Sequence, residues 1–482
     1  MTEPRTEPPA EDQRPGFSLA ALIRRHPTAW LASALGVVFL LLGTGAVFAG
    51  AVIKNDAAPT AAPTTQPTEE AEDGPRAVPA ALPEATRLRT CSINTAAGDG
   101  RLMALKGAVM NANTGEVLFS REGDVPNRTG SVLKLLTASA AVGVLGADYR
   151  LSTTVVEGPT PSSIVLVGGG DPTLSASANG SVYVGAPKIA DLAAEAKAAH
   201  DAKHPGTPIT EVIVDASYWN PADKWDPTWK RTEQTIGYHS EVTALMVDGD
   251  RADPSKNTSP RSTDPVGRAG AAFVAALGLP GVTVTTGTAS SQNVLAEVQS
   301  QPVSSLIPFM LLTSDNTLAE MLARVISVKG GFGGSAASLQ QAIPAALTGY
   351  GVPVDALTIK DGSGLSEASA VPPEYVAKLM VKILAGGQNL NIVYNALPVA
   401  GKSGSLASRF TGANAVARGN VIAKTGWIDT AYTLGGVIKA ADGTPLTFAF
   451  YAIGNGIQDN AKAAIDTLAT SVYSCGDNLA NI

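Results

Sequence analysis

The feature that most limits how this chain can fold is a long uncharged run near its start, AWLASALGVVFLLLGTGAVFAGAVI, at residues 29–53. A helix of about 20 consecutive apolar residues crosses the hydrocarbon core of a bilayer, so the run predicts one N-terminal transmembrane helix. Arg24 and Arg25 precede the run, and only Lys54 follows it closely. Because positive residues favour the cytoplasmic side, residues 1–28 are expected inside the cell and everything after the span outside it.

A cleavable signal peptide is the alternative explanation of the same run. Ala49-Gly50-Ala51 has the small-x-small form that signal peptidases accept, and cleavage there would give a secreted protein. The run is longer than the usual apolar region of a signal peptide, which favours an uncleaved anchor in the cell membrane. Both interpretations place most of the chain outside the cytoplasm.

The segments on both sides of this run have little to bury. Residues 1–28 are rich in Pro, Glu and Arg, which predicts a disordered cytoplasmic segment. Residues 54–87 consist largely of Pro, Ala, Thr and Glu, a composition typical of an extended tether. Folded structure is therefore expected from residue 88 onwards.

Charge and cysteine content exclude several functions. The net charge of −7, with Lys and Arg scattered along the chain, argues against a nucleic-acid partner. Two cysteines cannot form a structural zinc site, and no His-Glu-x-x-His or Cys-x-x-Cys run occurs, so no metal and no cofactor are expected. Disulfides persist outside the cell, which predicts that Cys91 and Cys475 pair; two separate buried thiols are the alternative.

Apolar patterns predict strands and helices at both ends of the folded part. A hairpin is expected around Asn113-Thr114-Gly115, and a helix follows Ser131. Further helices are expected over 304–328, 336–347, 373–384 and 460–474, and strands over 419–427, 431–440 and 446–454. The order predicts an α+β domain of residues 88–150 and 301–482, whose antiparallel sheet combines strands from both ends and brings the cysteines together.

Residues 151–300 have a different character. Short Val and Ile runs alternate with Gly and Pro turns, and an alanine-rich helix is expected over 187–200. This pattern predicts a β-rich inserted domain with a small core of its own.

Ser131 and Lys134 lie three residues apart at the start of the predicted helix, and therefore on one face of it. A serine hydroxyl needs a base within hydrogen-bond reach to become a good nucleophile. Lysine can be that base if burial or a neighbouring cation lowers its pKa from about 10.4. A Ser-x-x-Lys pair is expected about once by chance in a chain of this length, and an ordinary helix-face lysine is the alternative.

Two further motifs follow in order, Ser314-Asp315-Asn316 and Lys424-Thr425-Gly426. Ser-x-x-Lys, Ser-Asp-Asn and Lys-Thr-Gly together are the signature of penicillin-binding proteins and class A β-lactamases. Lys402-Ser403-Gly404 is a competing match, but it lies in a glycine-rich loop rather than on a strand. Ser314 could also be a simple helix N-cap.

The chain resembles the class C low-molecular-mass penicillin-binding proteins of type 4, which are D-alanyl-D-alanine carboxypeptidase/endopeptidases. The resemblance covers roughly residues 105–455 and includes the pieces NTGEVLFSRE, LVGGGDPTL, DGSGLS and LPVAGKSGSLASRF. It implies a β-lactamase/DD-peptidase-like domain, with an antiparallel sheet flanked by helices, that carries an inserted domain.

The resemblance also implies a role for each motif residue. Ser131 would attack the carbonyl between two D-alanines, with Lys134 as its base. Ser314 would relay the proton to the leaving amine, while Asn316 would hold the substrate amide. The Lys-Thr-Gly strand would bind the terminal carboxylate through Lys424 and Thr425. The oxyanion hole would be the backbone N–H groups of Ser131 and Trp427. The positions of this strand that would contact the substrate are Lys424, Thr425, Gly426 and Trp427.

Two positions depart from the family pattern. Position 130 is Gly where Ala is usual, which is expected to be a small change. Position 427 is Trp where Thr is common, and its indole is expected to reshape the carboxylate end of the site.

These features predict a membrane-anchored serine D-alanyl-D-alanine carboxypeptidase/endopeptidase. Its expected partners are peptidoglycan stem peptides ending in D-Ala-D-Ala, β-lactams as covalent inhibitors, and the cell membrane. The alternatives are a β-lactamase, which would need fast deacylation, and a catalytically silent scaffold that binds the cell wall.

Overall fold

The structure is a computed structural model that describes residues 88–178 and 180–481. The predicted cytoplasmic segment 1–28, transmembrane helix 29–53 and tether 54–87 lie outside the described residues. Within the described ranges, no helix is both long enough and apolar enough to cross a bilayer.

The described chain contains twelve strands and eleven α-helices. The strands are β1 (Ala104–Asn111), β2 (Val117–Arg121), β3 (Asn127–Arg128), β4 (Ser152–Glu157), β5 (Ser163–Gly168), β6 (Glu211–Asp215), β7 (Thr283–Thr286), β8 (Val294–Gln299), β9 (Ala370–Val371), β10 (Val421–Ile428), β11 (Ala431–Lys439) and β12 (Pro445–Ile453). The helices are α1 (Asn94–Ala97), α2 (Lys134–Leu145), α3 (Ile189–Lys203), α4 (Thr232–Ile236), α5 (Pro265–Leu277), α6 (Val303–Thr313), α7 (Asn316–Lys329), α8 (Leu339–Leu347), α9 (Pro373–Ala385), α10 (Asn391–Asn395) and α11 (Ala461–Cys475).

The first sheet combines strands from both ends of the folded chain, as the sequence predicts. Its order is β10-β11-β12-β1-β2, and every neighbouring pair is antiparallel. The predicted turn at Asn113-Thr114-Gly115 joins β1 to β2, and a turn that contains Asp442 and Gly443 joins β11 to β12. A small second sheet pairs β3 with β9.

Both faces of this sheet are covered by helices, which explains why β12 is buried along almost its whole length. Side chains alternate along a strand, so Phe448 and Phe450 pack on the α11 side with Leu468. Ala449 and Tyr451 point to the other face and join the cluster that contains residues of α2 and α9.

Helix α2 lies in the middle of the domain. Every residue from Lys134 to Val142 is buried, and a helix that is buried all round belongs in an interior. Its small residues, Ala138, Ala140 and Ala141, allow α6, α7 and α8 to pack against it. The lysine at its first position is consequently taken out of solvent.

The inserted region forms a five-stranded mixed sheet of order β7-β6-β5-β4-β8, with α3 and α5 packed on it. The expectation of a separate core is wrong, because Leu166 of this sheet and Leu318 of α7 belong to one continuous buried cluster. The glycine-rich segment after β5 explains the fusion: a Cβ on Gly170 would lie only 2.8 Å from Val325 of α7.

A disulfide joins Cys91 to Cys475, with an S–S distance of 2.03 Å and a sequence separation of 384 residues. Cys475 ends α11, and the backbone of Cys91 bonds to Asn478 and Ala480 just beyond it. The start and end of the folded part are therefore linked covalently and by backbone hydrogen bonds.

Candidate active site

The three predicted motifs meet around one cleft. Ser131 lies in a 3-10 turn, Gly130–Leu133, directly before α2. Ser314 lies in the short break between α6 and α7, and Lys424 lies on β10. The cleft has a volume of about 450 Å³, and the motif residues that line it are Ser131, Ser314, Asp315, Asn316, Thr425, Gly426 and Trp427.

Lys134 lies behind the cleft with its side chain fully buried. Its Nζ donates to Ser131 Oγ at 2.7 Å, to Asn316 Oδ1 at 2.7 Å and to the Ser363 carbonyl at 2.8 Å. An ammonium group has three donors, so these three acceptors satisfy a protonated Lys134 completely.

The pKa of Lys134 reflects two opposed influences. Burial disfavours the charged form and lowers the pKa from its usual 10.5 to about 8, while the carboxylates of Asp361, Glu320 and Asp315 raise it. Lys134 therefore keeps its charge near neutral pH but loses the proton far more easily than a surface lysine.

Lys424 is a second fully buried lysine on the opposite side of the cleft. Its Nζ donates to Ser314 Oγ at 2.9 Å and to the Thr425 carbonyl at 2.8 Å. Burial lowers the pKa of Lys424 well below its usual value, and the positive charge of Lys134 lowers it further. The sequence left open whether burial or a neighbouring cation lowers the pKa of Lys134, and burial is the main cause.

The second motif is held by its central residue. Ser314 has left-handed backbone angles, φ 61° and ψ 38°, at the end of α6. Asp315, not Ser314, caps α7, since its Oδ1 accepts from Leu318 N at 2.9 Å. Its Oδ2 accepts from Arg251 Nη2 at 2.7 Å and from the Tyr183 hydroxyl at 3.0 Å, both within the inserted region. The N-cap alternative for Ser314 is therefore wrong, and its hydroxyl is available to Lys424.

Asn316 connects Lys134 to the inserted region. Its Oδ1 accepts from Lys134, and its Nδ2 donates to the Tyr238 carbonyl at 3.3 Å. These two bonds fix the orientation of the amide, because its oxygen and nitrogen have partners of opposite character.

Two glycines allow the serine turn to lie directly against β10. A Cβ on Gly426 would lie 2.8 Å from Ser131 N and 2.2 Å from Thr433 Oγ1. Gly130 has φ +49°, and a Cβ there would lie 2.9 Å from Trp427 N. The expectation that Gly130 is a small departure from Ala is wrong, because an L side chain would be strained in this backbone and would meet the strand.

One end of the cleft is formed by residues 425–428 of β10. The Thr425 and Ser405 hydroxyls lie 2.7 Å apart, and both residues line the cleft. Trp427 is 46% exposed, with its ring centroid 6.4 Å from that of Tyr432. The indole therefore borders the cleft at the position where the family commonly has a threonine hydroxyl.

Sequence reasoning missed three groups behind the nucleophile, the Ser363 carbonyl, Asp361 and Glu320. The DGSGLS piece contains two of them, but none of its residues was assigned a role from the motifs. Glu320 lies four residues after Asn316, on the same face of α7, and this spacing is the one signal that could have identified it.

The competing Lys-Ser-Gly match lies away from this chemistry. Lys402 is exposed in a turn. The preceding segment pairs with the edge of β10 through Val399 and Ile422. This loop therefore covers the edge of the strand that carries Lys424.

Comparisons with known proteins identify the family and the fold of the chain. The chain matches the D-Ala-D-Ala carboxypeptidase 3 (S13) family over residues 90–260 and 252–472. It is 34% identical to Carboxypeptidase DacB of Mycolicibacterium smegmatis over 466 residues, covering 94% of this chain and 99% of that protein. It is 30% identical to a D-alanyl-D-alanine carboxypeptidase of an Actinomadura species, covering 75% of this chain and 80% of that protein. The crystal structure of penicillin binding protein 4 (dacB) from Haemophilus influenzae has the same fold, with a TM-score of 0.65 at 18% identity, covering 79% of this chain and 98% of that one.

Proposed function

The chain belongs to the D-Ala-D-Ala carboxypeptidase 3 (S13) family and is a serine-type D-alanyl-D-alanine carboxypeptidase/endopeptidase, and we propose that Ser131 is its nucleophile and Lys134 its base. The observation that carries this assignment is the 2.7 Å contact between Lys134 Nζ and Ser131 Oγ. A neutral lysine keeps two N–H donors, which Asn316 and the Ser363 carbonyl occupy. Its lone pair is then left for the serine proton.

The proposed reaction begins with attack by Ser131 Oγ on the carbonyl between two D-alanines while Lys134 takes the serine proton. The backbone N–H groups of Ser131 and Trp427 would stabilise the oxyanion. Ser314 would relay a proton to the leaving amine, which is consistent with its contact to Lys424. Water then hydrolyses the acyl-enzyme, so loss of a terminal D-alanine is carboxypeptidase activity and cleavage of a cross-link is endopeptidase activity.

The outer part of β10 would receive the substrate's terminal carboxylate. Thr425 would donate its hydroxyl, supported by Ser405 beside it. The approach of an anion favours the charged form of Lys424, so binding would raise the low pKa of this lysine. Asn316 would hold the substrate amide, and Trp427 would limit the width of the carboxylate end.

We further propose where this chemistry takes place. The substrates would be peptidoglycan stem peptides ending in D-Ala-D-Ala, and β-lactams would acylate Ser131 as substrate analogues. Residues 29–53 would anchor the enzyme in the cell membrane, and residues 54–87 would carry the catalytic domain, 88–150 and 301–482, into the cell wall. A silent scaffold is disfavoured, because all seven polar side chains of the three motifs either line the cleft or donate to a serine that lines it.

The test is cleavage by the purified protein of a pentapeptide ending in D-Ala-D-Ala and of a cross-linked muropeptide. We expect Ser131→Ala to lose both activities and to lose labelling by a fluorescent penicillin. Ser305→Ala, which removes an exposed hydroxyl from α6, is the matched control and should retain all three. Activity that persists in Ser131→Ala contradicts the nucleophile assignment.

A further inference from the structure

The orientation of Lys134 depends on two fixed acceptors. A neutral amine that donates to the Asn316 amide and to the Ser363 carbonyl must direct its lone pair towards the third neighbour, Ser131 Oγ. Asn316 begins α7, whereas Ser363 lies in a loop without regular structure and is 229 residues from Lys134 in sequence. A further contact must therefore hold the loop of Ser363 in place relative to α7.

Glu320 provides that connection. Its Oε1 accepts from Ser363 N at 2.7 Å and from Gly362 N at 3.0 Å, and its Oε2 accepts from Gly362 N at 3.0 Å. Both oxygens act as acceptors, as in an ionised carboxylate. Glu320 lies one helical turn after Asn316, so α7 sets both acceptors of Lys134, one directly and one through the loop.

Burying the carboxylate of Glu320 costs free energy, because a charged group loses its contacts with water. The side chain is 1% exposed, and burial together with the charge of Asp361 raises its pKa. Among the described residues no cation forms an ion pair with it, so backbone N–H groups are its direct partners. Both N–H groups that donate to Glu320 belong to the loop at Gly362 and Ser363. The buried carboxylate therefore stabilises one conformation of this loop rather than the fold as a whole.

We propose that Glu320 is a positioning residue, which holds the Ser363 carbonyl so that the lone pair of Lys134 points at Ser131 Oγ. Glu320 does not line the cleft and touches neither nucleophile nor substrate. The inference rests on Lys134 being the base of the proposed function.

The test compares Glu320→Gln with the wild-type full chain. Glutamine has one acceptor oxygen, so an NH₂ group in the place of Oε2 would put a donor against the Gly362 N–H and push the loop away. We expect the penicillin acylation rate and the kcat for pentapeptide cleavage to fall about 10- to 100-fold, because a small misplacement of a catalytic group has effects of this size. The KM should stay within about twofold of wild type, since the substrate contacts are unchanged.

The pH profile separates positioning from a general loss of stability. Removing the negative charge of Glu320 should lower the pKa of Lys134, so the rise of acylation with pH should begin at lower pH in Glu320→Gln. Glu320→Asp keeps the charge but is shorter, and should lose rate without moving the profile. The charged and titratable groups around these two residues are Asp315, Arg324, Asp361, Lys424 and His239.

Glu241→Gln is the matched control. Glu241 is a carboxylate buried to a similar degree in the inserted region, where it pairs with Lys224 and Arg231. Its variant should acylate at the wild-type rate with an unchanged pH profile. If both Glu320 variants react like wild type, or if Glu241→Gln shows the same loss, the proposal is overturned; if Glu320→Gln does not fold, Glu320→Asp decides. Wild-type acylation by Lys134→Met would instead refute the proposed function itself.

Discussion

The cleft has two sides, and each is built around a fully buried lysine. On the α2 side the charges of Asp361, Glu320 and Asp315 oppose the effect of burial on Lys134, whose pKa falls only to about 8. On the β10 side burial and the charge of Lys134 act in the same direction on Lys424. The comparison shows that neighbouring carboxylates, not burial alone, determine which lysine carries a proton near neutral pH.

The largest expected effect comes from removing the first lysine. Lys134→Met keeps much of the side-chain volume but leaves no base for Ser131, so the acylation rate should fall roughly 10²–10⁴-fold. Stopped-flow acylation by a chromogenic β-lactam measures this loss, and a thermal melt checks the fold. A fall of less than tenfold would place the base elsewhere.

Removing the second lysine should have a smaller effect. Lys424→Met removes the charged hydrogen bond proposed for the substrate carboxylate and the partner of Ser314, which predicts a loss in kcat/KM of about 30- to 100-fold. The pH midpoint of acylation should stay at that of Lys134, because Lys424 is not a main influence there. A shifted midpoint in this variant would contradict this and show that Lys424 influences the pKa of Lys134.

The pH dependence of the acylation rate tests the protonation state of Lys134 without a substitution. Lys134 must be neutral to accept a proton, and its pKa in the folded protein is about 8. Below that pH the neutral fraction falls about tenfold per pH unit, so acylation should rise with pH and level off above it. Rates measured between pH 6 and 9 that are flat, or that fall with pH, would contradict the assigned protonation state.

The smallest effect is expected at a lysine outside the cleft. Lys402 belongs to the competing Lys-Ser-Gly match and is exposed. Lys402→Ala should therefore change kcat/KM by less than about twofold, as is usual for a surface substitution. A loss as large as that of Lys424→Met would mean that the two motifs had been assigned the wrong way round.

The regular elements could be predicted because their signals are local. Short apolar runs mark β1, β2 and β10 to β12, and the order of three short motifs identifies the two lysines. Both signals are contained in a few neighbouring residues, so no tertiary information is needed to recognise them.

The long-range contacts that build the site around each lysine could not be predicted in the same way. Lys134 and the Ser363 carbonyl are 229 residues apart, and Arg251 reaches Asp315 from the inserted region. The need for glycine at position 130 arises only because the turn that carries Ser131 packs directly against β10. Such pairings depend on the packed fold, and none leaves a periodic pattern in the sequence.

The most direct test of the account is to locate a covalent β-lactam adduct by peptide mapping. Trypsin cleavage after Arg128 and Lys134 gives a six-residue peptide, TGSVLK, that contains Ser131, whereas Ser314 falls in the separate peptide 269–324. The account predicts that the acyl group is on Ser131 in TGSVLK, and that the adduct is absent from Ser131→Ala. An adduct on the peptide of Ser314, or an adduct that persists in Ser131→Ala, would contradict it.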